Sequence, residues 1–177
     1  WQQSGLKAAS MPANFGIGSQ LAGKTLGIWG YGKIGKLVAG YGKAFGMHVM
    51  VWGREPSRQQ AALDGYATAQ SREALFATSD VLSLHLRLND ETRSMVRLDD
   101  LSAMKSTALL VNTSRAELIE PDALIAALNR GKPGMAAVDV FETEPGGDTE
   151  LIAHPRVLAT PHLGYVERDS YELYFGT

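Results

Sequence analysis

A glycine-rich turn, Gly30-Tyr31-Gly32-Lys33-Ile34-Gly35, directly follows the apolar run Thr25-Leu26-Gly27-Ile28-Trp29, and this junction constrains the fold more than any other segment. The run reads as a buried parallel strand. Ile34, Leu37, Val38, Tyr41 and Phe45 then recur at helical spacing, and Gly46 stands where a left-handed residue ends a helix. His48-Val49-Met50-Val51-Trp52 supplies a second strand. Alone, the glycine spacing is weak, because an ordinary strand-to-helix turn produces it too. Between two strands and at the mouth of a helix it gains meaning: backbone amides and the helix N-terminus converge where a pyrophosphate would sit. Gly30, Tyr31, Gly32, Lys33, Ile34 and Gly35 are the expected contacts.

The alternation continues beyond the second strand. Amphipathic stretches near Arg58 to Leu63 and Arg72 to Ala77 precede the apolar strand Val81-Leu82-Ser83-Leu84. Leu109-Leu110-Val111 is a further strand, Pro121 opens a helix that stops at Gly131, and Met135-Ala136-Ala137-Val138 and Val157-Leu158-Ala159 add two more. Strands joined in this way by helices predict an α/β fold, a doubly wound parallel sheet with its ligand at the carboxyl ends of the strands. Residues 1 to 20, rich in Gly, Ser, Gln and Ala, read as a connecting arm; 21 to 164 form the nucleotide-binding unit; 165 to 177 begin another connection.

The end of the second strand bears on which dinucleotide is bound. An NAD-selective site places an acid there, to accept hydrogen bonds from the ribose hydroxyls. This chain has Gly53, followed by Arg54, Ser57 and Arg58, which suits a ribose 2′-phosphate and favours NADP(H) over NAD(H). Solvated surface arginines, or an Arg54 stacked on adenine, are the plainer readings. Glu55 adds an opposing charge.

Downstream, Arg115, Glu144 and His162 form a candidate reactive set. A guanidinium offers a planar fork to a carboxylate, and a histidine exchanges protons near neutral pH. A carboxylate beside that histidine favours its protonated form. With a nicotinamide cofactor, this set suggests interconversion of a 2-hydroxy acid and a 2-oxo acid. Singly, each residue has a plain structural reading, as a surface charge or a loop residue. His48, His85 and His154 are poorer acid/base candidates, although His85 is placed to line the cofactor site.

Composition narrows the partners. A net charge of −2 over 177 residues gives no global basic excess to hold a nucleic acid. No apolar run reaches the roughly 20 residues of a membrane span, and the first residues lack a signal-peptide core, so a cytoplasmic location is expected. No cysteine is present, which removes disulfides and thiolate chemistry, and no metal site is expected.

Five segments together resemble the D-isomer-specific 2-hydroxyacid dehydrogenase family. They are Leu26 to Gly35, Asp80-Val81-Leu82-Ser83-Leu84-His85-Leu86, Leu110-Val111-Asn112-Thr113-Ser114-Arg115, Val138-Asp139-Val140-Phe141-Glu142-Thr143-Glu144-Pro145, and Thr160-Pro161-His162-Leu163-Gly164. The resemblance implies Arg115 as substrate-carboxylate ligand, His162 as acid/base and Glu144 as its partner. It also implies His85, Leu86, Thr92, Thr113 and Gly164 around the cofactor, with Asp139 on the nicotinamide carboxamide. Two positions depart from the pattern, Arg87 for a common proline and Ala116 for a common glycine.

The resemblance further implies a second, substrate-binding domain of which this chain carries almost nothing, so the isolated chain, which begins at Trp1, is expected to bind cofactor and turn over poorly. A homodimer formed through this domain and the loop near Met11 to Gly18 is expected, with a small 2-oxo or 2-hydroxy acid as substrate, such as glyoxylate or hydroxypyruvate. The competing reading is a nucleotide-sensing protein-interaction module of the dehydrogenase-like corepressor type. Within the family, formate oxidation is disfavoured by Glu144, where formate enzymes typically carry glutamine.

Overall fold

Short apolar runs, buried on both faces at the centre, generate the sheet. In the computed structural model, which describes residues 18–145 and 149–176, seven strands form one parallel sheet. In chain order they are β1 (Thr25–Trp29), β2 (His48–Trp52), β3 (Ala67–Thr68), β4 (Val81–Leu84), β5 (Leu109–Asn112), β6 (Met135–Val138) and β7 (Val157–Ala159). Their spatial order is β3-β2-β1-β4-β5-β6-β7, with every pair parallel. The order therefore reverses between β1 and β4, and the crevice outside the carboxyl ends of these two strands is where such sheets bind ligands.

Helices cover both faces: α1 (Lys33–Ala44), α2 (Glu55–Leu63), α3 (Arg72–Thr78), α4 (Leu98–Ala103), α5 (Ala123–Asn129), α6 (Thr149–Ala153) and α7 (Arg168–Phe175). Side chains of β1 divide between the two layers. Leu26 and Ile28 pack with Ala39, Val49, Val51 and Ala61, whereas Trp29 joins Leu75, Phe76, Leu82 and Leu84 on the other face. Trp29 meets Phe76 edge to face at 5.6 Å between ring centroids. Burial on both faces is why these strands read as near-continuous apolar runs.

The doubly wound parallel sheet is as expected, but one helix packs differently from its pattern. The apolar stripe of α1 faces outward: Ile34, Leu37, Tyr41 and the adjoining Phe45 are 59 to 65 % exposed. Gly35, Ala39 and Gly42 face the sheet instead. A Cβ on Gly42 would lie 2.5 Å from Leu26 Cδ2, so small residues let the helix approach β1 closely. The helix after Pro121 begins at Ala123, because Asp122 takes a left-handed conformation (φ 60°) and enters as the N-cap residue. The two-residue β3 and the six-residue α4 carry too little periodic signal to be read from the sequence.

Asp80 ties the amino ends of the central strands together. Its carboxylate accepts from the Thr25 N–H and from Lys105 Nζ, each at 2.8 Å. Burial pushes this carboxyl up, but the hydrogen bonds from Lys105 and Thr25 outweigh it and hold the group below the usual carboxylate range. Most of the expected connecting arm, including the loop near Met11, lies outside the described residues.

Candidate active site

The glycine turn leaves β1 and enters α1 at the switch point. Gly30 has φ 104°, and a Cβ there would lie 2.5 Å from the His85 carbonyl oxygen, so only glycine lets the turn cross the end of β4. A Cβ on Gly35 would lie 2.1 Å from the Gly30 carbonyl oxygen, which locks the first turn of α1 onto β1. Gly32 differs from both. Nothing stands within 4 Å of its missing Cβ, so the approach to the helix N-terminus is open there. The first amides of α1 have no intrahelical acceptors. This cradle fits a pyrophosphate.

Above the turn lies a cleft of about 430 Å³, lined by Gly32, Lys33, Ile34, Gly35, His85, Leu86, Arg87, Leu88, Thr113, Ser114 and Arg115. It brings together three of the five resembling segments. Tyr31, expected as a contact, sends its side chain inward: the ring is buried, meets Tyr66 edge to face, and its hydroxyl donates to Asp64 Oδ2 at 2.9 Å. Burial and that carboxylate raise its hydroxyl well above the ordinary tyrosine range. Only its backbone remains for a ligand. Thr92 is likewise committed to its own loop, donating to the Arg87 carbonyl at 2.7 Å. His85 is half-buried with Nε2 2.9 Å from Ser83 Oγ, and burial lowers its pKa, which keeps the ring neutral near pH 7.

At the carboxyl end of β2, Gly53 follows the strand with no acid in place. Arg54 is exposed, and its guanidinium makes no hydrogen bond or ion pair among the described residues. Arg58 is more constrained. Its guanidinium stacks 4.7 Å from the Trp52 ring centroid and pairs with Glu55, while its Nε is buried without a partner.

The turn after β5 is built by hydrogen-bonded polar groups. Asn112, 1 % exposed at the end of β5, donates from Nδ2 to the Arg115 carbonyl (2.9 Å) and accepts from the Ser114 N–H (3.1 Å). Ser114 Oγ donates to the Leu84 carbonyl at 2.8 Å. These bonds fix the turn that carries Thr113 and Arg115. Arg115 itself is exposed on the cleft wall, with Nη1 on the Ser114 carbonyl at 2.6 Å.

His162 is held from two sides. Its Nδ1 lies 2.6 Å from Glu144 Oε2, while Glu144 Oε1 accepts from the Phe141 N–H at 2.9 Å. The hydrogen bond from His162 first, and that from Phe141 next, hold the Glu144 carboxyl below the usual range. An ionised carboxylate only accepts, so Nδ1 carries a proton and Nε2 is left for a ligand. His162 has φ 54°, an uncommon conformation for a residue with a Cβ.

Asp139 holds that backbone. Its Oδ1 accepts from Thr160 Oγ1 (2.5 Å) and the Leu163 N–H (2.8 Å), and its Oδ2 from the Gly164 N–H (2.7 Å). A carboxylate offers about four acceptor positions. Three are used, all by groups of the 160–164 segment. Burial pushes this carboxyl up, yet the bonds from Thr160, Leu163 and Gly164 leave it lowered. The sequence reading missed the supporting roles of Asn112 and Ser114; the available signal was a polar residue closing the apolar strand Leu109-Leu110-Val111.

A second cavity of about 260 Å³ lies beside the first, between α5 and the ends of β5 and β6, lined by Ala116, Leu124, Val138 and Phe141 among others. It contains neither Arg115 nor His162. Among the described residues no helix is long and apolar enough to cross a membrane.

Comparison with known proteins agrees with this geometry. Residues 2–164 match the model of the D-isomer specific 2-hydroxyacid dehydrogenase, NAD binding domain. A 4-methyl-2-oxopentanoate reductase A of Aspergillus oryzae is 42% identical over 161 residues, which are 91% of this chain and 48% of that protein. A glyoxylate reductase of Aeropyrum pernix is 43% identical over 155 residues, 87% of this chain and 46% of that protein. The crystal structure of a D-3-phosphoglycerate dehydrogenase-type oxidoreductase from Ralstonia solanacearum superposes with a TM-score of 0.89 at 65% identity, covering 99% of this chain and 52% of that one. The chain spans about half the length of the curated relatives it matches. With its reversed strand order, its glycine cradle and its match over residues 2–164, the chain belongs to the D-isomer specific 2-hydroxyacid dehydrogenase family, of which it carries the NAD-binding domain.

Proposed function

We propose that this domain serves an enzyme that interconverts a small 2-oxo acid and its D-2-hydroxy acid. The observation that carries the reading is the Glu144–His162 pair, which fixes Nδ1 as a donor and leaves Nε2 free, with Glu144 also feeling the charge of Arg115 on the wall of the cleft. When bound, the reduced nicotinamide supplies hydride to the carbonyl carbon. Arg115 holds the substrate carboxylate as a planar fork, and protonated His162 donates from Nε2 to the carbonyl oxygen. In the oxidative direction Nε2 takes the proton back. Glu144 stabilises the imidazolium, and Asp139 keeps the His162 loop in register while its remaining acceptor position meets the carboxamide.

The relatives support a small 2-oxo acid as substrate, with glyoxylate and hydroxypyruvate the first to assay. NADPH is the preferred cofactor in this reading, with Arg54 and the Ser57 hydroxyl taking the 2′-phosphate. Arg58 contributes less, because Glu55 and Trp52 hold it. A homodimer buries the exposed apolar stripe of α1 against a second copy, and a cytoplasmic location suits a metabolic reductase. The substrate domain implied by the relatives' length closes the cleft and excludes water, so this chain alone binds cofactor and turns over poorly.

The test is reduction of glyoxylate and hydroxypyruvate by the two-domain protein, followed through nicotinamide absorbance. His162→Ala is expected to lower kcat by about 10²–10⁴-fold, and Arg115→Ala to raise KM as well as lower kcat. Unchanged turnover in both variants overturns the assignment.

A further inference from the structure

The cleft over the glycine turn holds a cation that neither the turn nor the acid/base pair explains. Arg87 lies two residues beyond His85, whose carbonyl closes against Gly30, so the segment after β4 brings it into the same cleft as the N-terminus of α1. Its side chain is exposed and makes no hydrogen bond or ion pair among the described residues. Its carbonyl, by contrast, is fixed by Thr92 Oγ1 at 2.7 Å, which orders the backbone that presents the guanidinium. Lys33, Arg87 and Arg115 all line this cleft, and no carboxylate does. Arg115 stands at the reactive end. Arg54 and Arg58, at the adenosine end, are not part of the cleft lining.

We propose that Arg87 is a contact for the cofactor's diphosphate, closing on it from the β4 side while the amides of α1 hold it from below. The inference rests on the cofactor reading of the cleft and adds to it a residue that binds both dinucleotides alike. A guanidinium is suited to this, since it donates two parallel hydrogen bonds to phosphate oxygens. Selection between NADPH and NADH then belongs to the Arg54 end. The Arg87 contribution is common to both cofactors.

Calorimetric titration with ADP-ribose, which keeps the diphosphate and lacks the nicotinamide ring, separates these roles. Arg87→Gln is expected to weaken ADP-ribose, NADH and NADPH by the same factor, about tenfold. The salt dependence of binding becomes shallower, because one screened charge pair is lost. Arg87→Lys recovers part of the affinity and serves as the folded, charge-retaining reference. Unchanged ADP-ribose affinity in Arg87→Gln overturns the proposal, and so does a loss confined to NADPH, which would place Arg87 on the 2′-phosphate. Failure of the unaltered protein to bind ADP-ribose overturns the cofactor reading itself, and is seen before any variant is made.

Discussion

His162 Nδ1 stands 2.6 Å from Glu144 Oε2, although the two residues are 18 positions apart. Hydrogen bonding to His162 depresses the Glu144 carboxyl, with the Phe141 N–H adding to it. The sign follows: a carboxyl lowered in the folded state keeps its contact above the ordinary carboxylate range and loses it only as pH falls through the lowered value. In the two-domain enzyme, Glu144→Gln should lower kcat, by less than the loss in His162→Ala, with little change in KM. Its pH–rate profile should also change, because the imidazolium loses its counter-charge. An unaltered kcat and pH profile would remove Glu144 from the mechanism.

Asp139 secures the same histidine through backbone. Replacing it by Ala strands the Leu163 and Gly164 N–H groups, at a cost of about 1–3 kcal/mol in stability. Denaturant melts should show that loss, and the two-domain enzyme should lose kcat because His162 no longer keeps its left-handed conformation. Full stability in Asp139→Ala would mean that the 160–164 loop is held by other contacts.

Much of this was legible in the sequence. Strand, glycine turn, helix and strand follow from local pattern, because a parallel strand buried on both faces leaves an unbroken apolar run. Which face of the helix after the turn meets the sheet is not legible, for a physical reason. Periodicity reveals that a helix has an apolar face, but not that the sheet takes the glycine and alanine face when close approach is needed, as at Gly35 and Gly42. Arg115, Glu144 and His162 were visible as chemistry-bearing types within resembling segments. The hydroxyls of Tyr31 and Thr92 serve Asp64 and the Arg87 carbonyl, which leaves their backbone groups as the expected cofactor contacts. Long-range pairings of this kind leave no trace in local spacing.

The outward stripe of α1 carries its own test. Light scattering behind size exclusion should give the unaltered chain the mass of two copies, and the double variant Leu37→Lys, Phe45→Lys the mass of one. Both positions are exposed, so the melting temperature of the separated chain should not depend on the substitution itself. A dimer that survives both changes would place the contact elsewhere.

Cofactor choice should follow charge at the end of β2. Arg54→Ala is expected to weaken NADPH about ten- to hundredfold while sparing NADH. Glu55→Gln should strengthen NADPH, since it removes a negative charge near the 2′-phosphate and releases Arg58. Equal NADH and NADPH affinities in the unaltered protein would contradict the phosphate preference and leave the rest of the site standing.

At the opposite end of the sheet, Asp80→Asn should cost about 1–3 kcal/mol near neutral pH, because the Thr25 N–H and Lys105 lose a charged acceptor. Burial raises this carboxyl, but Lys105 and Thr25 lower it further, so its stabilisation is present above the ordinary carboxylate range and lost as pH falls through the lowered value. The variant and the unaltered protein should therefore converge in stability in acid. A constant difference across pH would assign the effect to packing.

The central claim is that the glycine cradle binds a nicotinamide dinucleotide, and Gly32 tests it most directly. Its missing Cβ meets nothing within 4 Å and its φ of −87° suits any residue, so Gly32→Val leaves the fold intact while filling the space above α1. Nicotinamide fluorescence should show saturable binding of NADPH and NADH to the unaltered chain and none to Gly32→Val, with identical circular dichroism. Equal binding by the two proteins, or binding by neither, would contradict the account.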